Sequence, residues 1–582
     1  MLAGRKLPCF VTGIALMAGC LLASARPGDK DKADTSEIKF TVRTELVLIP
    51  TLVTDKSGNH ITGLKKQDFA VFENGSEQKV ATFEEITSDG HRLFRPKPAN
   101  EFSNRVAGEP SNHRITLIVL DLLNTRFADQ AYARKDLLKY LTQSLDAREP
   151  TALYTLTRSG VQVIHDFTAD PAVLVAALRT ITGDTFQMVD RTEGGAAAGP
   201  SGGESSKGRS GGAKGGGQTA SGADPGSVQS EAQRLQATLA DTELNFQSFQ
   251  QRLAITYTLE GMQQVAQAVA GFPGRKSLLW AGGGFPFSVS DTTMQLAPAG
   301  RDTLSDVLPL YEQTWQLLND AQISLYPVDV KGLQVLTVPS PAARNPGRDY
   351  ARHMSNRNLD TQATLQTFAS MTGGRAYFNS NDLAKGFRDA VNDSAEYYML
   401  GYYLDHSWNK PGWRKLAVKV KRDHTEVRAR SGYFVTHAGT DPAPSRNHDL
   451  SSALQSPLDF TSLSLVLRWD KVEPGKDPDK KHVNYEMHLA PDPALVNNGD
   501  NNHIALEFLA VAKTLEGQSA DPPGGRKIDD HLTAEKAAAI REKGLVYSGS
   551  LDLVPGEYRV RFVVRDDLSG RVGSVAAPLK VE

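Results

Sequence analysis

The chain has 582 residues, enough for about three or four domains at roughly 150 residues each. Lys and Arg together number 65 and Asp and Glu 67, and the resulting net charge of −2 excludes a generally basic nucleic-acid binder. We therefore expect no nucleic-acid partner. The two cysteines, Cys9 and Cys20, lie near the N-terminus, which excludes zinc fingers, iron–sulfur sites, disulfide scaffolds and cysteine hydrolases for the rest of the chain.

Residues 1–25 have the pattern of an export signal. Residues 10–22 are apolar but too short to span a bilayer, and the Ala-Ser-Ala sequence at 23–25 fits signal peptidase. Alternatively, residues 16–20 form a lipoprotein box that would leave Cys20 lipidated. We expect a periplasmic or secreted protein, which is attached to a membrane only if Cys20 carries a lipid.

The chain has β-rich ends and a centre in which apolar strands alternate with amphipathic helices. This pattern predicts an α/β fold class: a doubly wound, mostly parallel sheet flanked by an N-terminal β segment and a C-terminal β-sandwich. The predicted divisions are a signal peptide (1–25), an N-terminal β domain (38–90), a central domain (113–400) with a glycine-rich insertion (193–226), strands that complete the central region (401–436), a linker (437–458) and a β-sandwich domain (459–582). Within the N-terminal domain, Asn74 and Gly75 predict a hairpin turn, because both tolerate positive φ.

A long helix is predicted over about 229–270. Apolar residues recur along it at helical spacing, at Leu235, Leu239, Phe246, Phe249 and Leu253. Two interpretations stay open. The helix packs on its own sheet, which is the commoner case, or it offers a coiled-coil surface to a partner.

Polar residues follow two of the predicted central strands. Residues 115–120 form an apolar run, apart from Thr116, that ends at Asp121, with Asn124 and Thr125 close behind, and another apolar strand ends at Asp329. Open α/β sheets bind ligands at the carboxyl ends of their strands, so these residues form the candidate binding edge, with Asn124 and Asp329 as candidate binding residues. The alternative is structural: each aspartate caps the turn that follows it.

Five stretches in order along the chain carry a family resemblance. They are GL at 63–64 with DFAVFENG at 68–75, DLLNT at 121–125, GRKSLLW at 274–280, YYMLGYY at 397–403 and RSGYF at 430–434. Over roughly 114–400 the chain resembles the von Willebrand factor type A fold. Over about 40–436 it is closer still to a family of secreted bacterial proteins, the VWFA-related acidobacterial domain proteins. That family has no established activity, so the resemblance implies a fold rather than a reaction.

The resemblance also implies a metal-ion-dependent adhesion site, which in the type A fold begins with Asp-x-Ser-x-Ser. Asp121 matches its aspartate and Thr125 its second serine, so Mg²⁺ or another divalent cation is the candidate ligand, although no cofactor is certain. Leu123 replaces the first serine, and residues 281–284 lack the carboxylate expected after the next strand. The candidates for a further threonine ligand are Thr182 and Thr185. We therefore expect a degenerate site.

No catalytic set accompanies this edge. The sequence contains neither an H-E-x-x-H motif nor the G-x-x-x-x-G-K-[ST] phosphate loop. We expect a protein that is not an enzyme, but an exported binding or cell-adhesion protein that engages a protein partner of the envelope or extracellular space at this edge. The alternative is a metal-independent structural or assembly protein of the cell envelope.

Overall fold

The computed structural model describes residues 46–87, 101–105, 115–143, 145, 150–181, 225–289, 296–297, 307–333, 361–393, 396–404, 412–435, 442–497, 502–520 and 524–582. All of them belong to one compact unit, Thr44–Glu582. The predicted signal peptide, both cysteines and the glycine-rich insertion up to residue 224 lie outside the described residues.

Strands form most of the regular structure. Up to residue 329 they are β1 (Leu46–Thr54), β2 (Phe69–Glu73), β3 (Ser76–Gln78), β4 (Thr82–Ile86), β5 (Glu101–Ser103), β6 (Ile115–Asp121), β7 (Thr151–Thr157), β8 (Gly160–Thr168), β9 (Lys276–Gly282), β10 (Ser288–Val289), β11 (Leu296–Ala297) and β12 (Ile323–Asp329). Beyond it they are β13 (Tyr397–Tyr403), β14 (Gly412–Val420), β15 (Glu426–Arg428), β16 (Gly432–Val435), β17 (Leu465–Pro474), β18 (Lys481–Leu489), β19 (His503–Thr514), β20 (Gly524–His531), β21 (Leu545–Leu553), β22 (Gly556–Asp566) and β23 (Val572–Val581).

The helices are α1 (Phe127–Gln143), α2 (Pro171–Thr180), α3 (Pro225–Val269), α4 (Leu308–Asp320), α5 (361–372), α6 (Leu383–Asn392), α7 (Pro442–Gln455) and α8 (Ala534–Lys543). The start of α2 shows how the sequence sets such a boundary. Pro171 occupies its first turn, and the Asp170 carboxylate accepts a hydrogen bond of 2.8 Å from the amide of Ala172. Among the described helices, none is both long enough and apolar enough to cross a membrane.

One five-stranded sheet has the order β12-β9-β6-β7-β8. The first four strands are parallel, and every residue of β6, β9 and β12 is buried. Side chains alternate between two cores along β6: Leu117 and Val119 pack with α3, α4 and α5, whereas Ile118 and Leu120 pack with α1, α2 and α6. Burial on both faces explains why these strands are mainly apolar.

The predicted fold class, a doubly wound, mostly parallel α/β sheet, is wrong. The structure is mixed, 31% helical and 42% strand, with several separate antiparallel sheets and one mixed sheet. The sheet described above is mixed because only two residues connect β7 to β8, and so short a turn forces antiparallel pairing. Beyond β12, Tyr377 forms only an isolated bridge with Val328, and β13 joins a different sheet.

The N-terminal strands pair with strands more than 300 residues away in the chain. β13 lies between β1 and β4, and β14 lies between β2 and β16, all antiparallel. The predicted hairpin is confirmed: β2 and β3 pair across Asn74 and Gly75, whose φ angles are 49° and 86°. At the end of β2, Glu73 is buried against Arg414 of β14, with 2.9 Å between Oε1 and Nη1.

The C-terminal part contains two four-stranded antiparallel sheets, β21-β18-β17-β5 and β20-β19-β22-β23. Their apolar faces share one core, in which Leu465 and Leu467 of the first sheet meet Phe508 and Phe562 of the second. The short strand β5 reaches this sheet from before the central region. Within the predicted linker 437–458, the chain forms α7.

Candidate functional site

The candidate site lies at the carboxyl edge, which we define as the edge of the mixed sheet where β6, β9 and β12 end. In the strand register, Asp329 lies opposite Gly282, and Leu120 lies opposite Ala281. Asp121 and Asp329 therefore end the two strands on either side of β9, with two strand spacings, or about 10 Å, between their backbones. The prediction that strand ends bring these two aspartates to one edge is confirmed.

Asp121 is only 1% exposed, and hydrogen bonds from neighbouring groups occupy both of its carboxylate oxygens. Oδ1 accepts from the Asn124 amide at 2.9 Å. Oδ2 accepts from Asn124 Nδ2 at 2.8 Å and from Trp280 Nε1 at 3.0 Å. Burial raises the pKa of Asp121 to about 6, although these donors favour the ionised form and oppose the rise. The carboxylate thus caps the turn after β6, as the structural alternative predicted.

Asn124 and Thr125 are likewise bonded to neighbouring elements. Asn124 Nδ2 also donates to Thr258 of α3 at 2.9 Å, and the hydroxyl oxygen of Thr125 accepts from the Gly283 amide at 2.8 Å. A Cβ atom at Gly283 would lie 2.8 Å from the Asn124 carbonyl oxygen, so only glycine allows this approach of the two loops. These bonds join the ends of β6 and β9 to α3.

Asp329 is 4% exposed and occupies the opposite side of the edge. Its Oδ1 accepts from the Lys331 amide at 3.0 Å, so it also caps the turn that follows its strand. Burial raises the pKa of Asp329, against the amide and the charge of Lys331. The structural alternative predicted for this residue therefore holds as well, and no described hydrogen bond joins Asp329 to Asp121.

The residues at the carboxyl edge do not fit a divalent cation. A metal needs free oxygen lone pairs directed at it, whereas the oxygens of Asp121 and Thr125 face N–H groups. Leu123 is completely buried and offers no ligand atom. Within the described ranges, no cluster of three or more His, Cys, Asp or Glu residues could hold a metal ion. Thr182 and Thr185 lie outside those ranges, so the metal prediction for Asp121 and Thr125 stays a prediction that this geometry does not favour.

Two large apolar side chains remain exposed beside these buried polar groups. Phe127, the first residue of α1, is 48% exposed, and Leu333, four residues after β12, is 56% exposed. Asn381 connects the two regions, since its carbonyl oxygen accepts from the Tyr132 hydroxyl at 2.8 Å and its Oδ1 accepts from the Leu333 amide at 2.8 Å. The edge thus combines a bonded polar layer with exposed apolar residues.

Sequence reasoning missed the residues of other strands and helices that donate hydrogen bonds to the carboxyl edge or accept them from it. Trp280 lies in a stretch singled out for its family resemblance, but its role as a donor to Asp121 depends on the pairing of β6 with β9. Gln130 of α1 donates to the carbonyl oxygens of both Leu122 and Thr125. Thr258 lies 134 residues from Asn124, and no local sequence signal links them.

Comparison with known proteins adds no family to this description. The chain matches no protein-family model, and no curated protein sequence is significantly similar to it.

Proposed function

We propose that the chain is an exported, non-enzymatic binding protein that engages a protein partner at the carboxyl edge without a metal ion. The observation that carries this proposal is the exposure of Phe127 and Leu333 at an edge where the Asp121 carboxylate and the Thr125 hydroxyl are bonded within the fold. Aromatic and aliphatic side chains of this kind are what buried interface centres are made of. Export is proposed from the signal-like sequence at 1–25.

The roles of the edge residues follow from their contacts. Asp121, Asn124 and Thr125 hold the loops after β6 and β9 in place through direct hydrogen bonds. A rigid edge loses little conformational entropy when a partner docks, which favours binding. Phe127 and Leu333 supply apolar area that a partner would remove from water.

The test is a capture experiment with envelope extract of the host. The immobilised chain from residue 26 onward captures a partner in the presence of EDTA, and the double variant Phe127→Ser/Leu333→Ser is expected to capture it at least about tenfold less, as loss of interface anchors does. The matched control is Leu515→Ser/Val546→Ser, since these side chains are also exposed, at 71% and 53%, but lie in the C-terminal part, in the turn after β19 and in β21. Equal capture by the edge variant, or loss of capture in EDTA, would contradict the proposal.

A further inference from the structure

The first half of α3 carries apolar side chains that remain uncovered in the described part of the chain. Leu239 is 60% exposed, Phe246 is 43% exposed and Phe249 is 57% exposed. Every side chain that the structure describes between 234 and 249 is exposed. The helix enters the core only from Ala254 onward, where it packs on the mixed sheet. The second half therefore packs on its own sheet, as the first interpretation predicts, and the second interpretation stays open for the first half.

The exposed residues have the spacing of a coiled coil. Leu239 and Phe246 are seven residues apart, Phe249 follows Phe246 by three, and the half-buried Leu253 continues the same spacing towards the core. Alternating steps of three and four place such residues along one seam with the 3.5-residue period of a two-stranded coiled coil. The part of α3 before the core, 225–253, spans about four heptads and roughly 43 Å.

We propose that this seam is a dimerisation surface, on which two copies of the chain pair the first halves of their α3 helices in an antiparallel coiled coil. Phe246 and Phe249 are 43% and 57% exposed, so together they offer about 150–250 Å² per copy, or about 300–500 Å² per dimer. The dimer reaches the roughly 1,000 Å² of a specific interface only when Leu239 and the side chains that flank the seam along its four heptads are buried as well.

The residues beside the seam favour a second copy over a different, charged helix. Coiled coils choose their partners through charges at the flanking positions. Here those positions are nearly neutral, and they hold Gln236, Thr238, Glu243, Asn245, Gln250 and Arg252. The seam thus offers no charge pattern that would select an oppositely charged partner, whereas a two-fold axis brings the same apolar seam together twice.

The antiparallel direction follows from the size of the unit to which α3 is anchored. Helices in a coiled coil lie about 8–10 Å apart. A unit of the length of Thr44–Glu582 has an expected radius of gyration of about 24 Å. A parallel pair would place two units of this size at the same end of a seam whose helices are only about 8–10 Å apart. An antiparallel pair places them at opposite ends.

The test is the mass of the purified chain from residue 26 onward, measured by sedimentation across a concentration series. We expect a dimer, and we expect Phe246→Glu/Phe249→Glu to raise its dissociation constant at least about a hundredfold, because two apolar anchors per copy are lost. This variant should keep the thermal midpoint and circular dichroism of the monomer fold, since both side chains are exposed. The control Leu515→Glu/Val546→Glu should stay dimeric.

Three results would overturn the proposal. The first is a monomer at every concentration, which would leave the seam to another partner or to another segment of this chain. The second is a dimer that survives the seam variant or dissociates in the control. The third concerns direction: spin labels on Gln250→Cys should lie about 30 Å apart across an antiparallel dimer, and labels about 10 Å apart would indicate a parallel one. Failure here leaves the carboxyl-edge proposal untouched, because the two surfaces share no residue.

Discussion

Replacing Arg414 by methionine is expected to lower the free energy of unfolding by about 3–5 kcal/mol. Arg414 and Glu73 are 9% and 8% exposed, and their side chains meet at 2.9 Å. The other Glu73 oxygen accepts from the Tyr402 hydroxyl at 2.7 Å. Without the guanidinium, the carboxylate stays buried with hydroxyl partners only, so the variant loses more than the ion pair itself contributes. Chemical denaturation followed by circular dichroism measures the loss.

The double variant Glu73→Gln/Arg414→Met serves as the control. It removes the unpaired charge, so its loss of stability should be smaller than the sum of the losses of the two single variants. The coupling would show that β2, near the N-terminus, and β14, more than 300 residues later, unfold as one structure. A loss below about 1 kcal/mol for Arg414→Met, the value typical of exposed pairs, would contradict this description of a buried pair.

Between about pH 4 and pH 6, the wild-type chain is expected to lose about 2 kcal/mol of stability relative to Asp121→Asn. Burial raises the pKa of Asp121 from 3.8 to about 6 in the folded chain. The folded state therefore holds a proton that the unfolded state releases in this range. The stabilisation from that proton is complete below the unfolded pKa and is lost as pH rises through the folded pKa.

The asparagine variant isolates this effect because position 121 then carries no titrating proton. Its side-chain amide places N–H against the donors of Asn124 and Trp280, and this adds a loss of stability that does not depend on pH. Unfolding free energies of both chains at pH 4, 5, 6 and 7 give the difference. Asp329→Asn should show a difference of the same sign, since burial raises the pKa of Asp329 too. A difference that is flat or rises with pH would be the contrary result.

Local sequence patterns predicted individual elements but not how they pair. The mainly apolar runs of β6, β9 and β12 indicate buried strands, and Asn74-Gly75 indicates a turn, because each signal depends on neighbouring residues. The choice of partner strand does not depend on neighbouring residues. The sequence of β13 is compatible with a place in the mixed sheet and with pairing to β1, and in the structure β13 pairs with β1. That pairing and the antiparallel hairpin of β7 and β8 are what made the α/β prediction wrong.

At the carboxyl edge, too, local patterns predicted some features and strand pairing decided the others. That Asp121 and Asp329 each end a buried strand of the sheet followed from where two apolar runs stop. The hydrogen bond from Trp280 to Asp121 depends on strand register, because register decides which side chains of β6 and β9 meet. The sequence pattern alone therefore left both a ligand site and a structural cap open for Asp121.

The central claim is that Asp121 and Thr125 serve the fold and that binding at the carboxyl edge needs no metal. Calorimetric titration of the chain from residue 26 onward with Mg²⁺ and with Mn²⁺ tests it most directly. We expect the wild-type chain to show no heat of cation binding that is absent from Asp121→Asn or Thr125→Val. The contrary result is micromolar binding by the wild-type chain that either variant abolishes while it remains folded. That result would show that the Asp121 oxygens bind a cation, and it would contradict the claim.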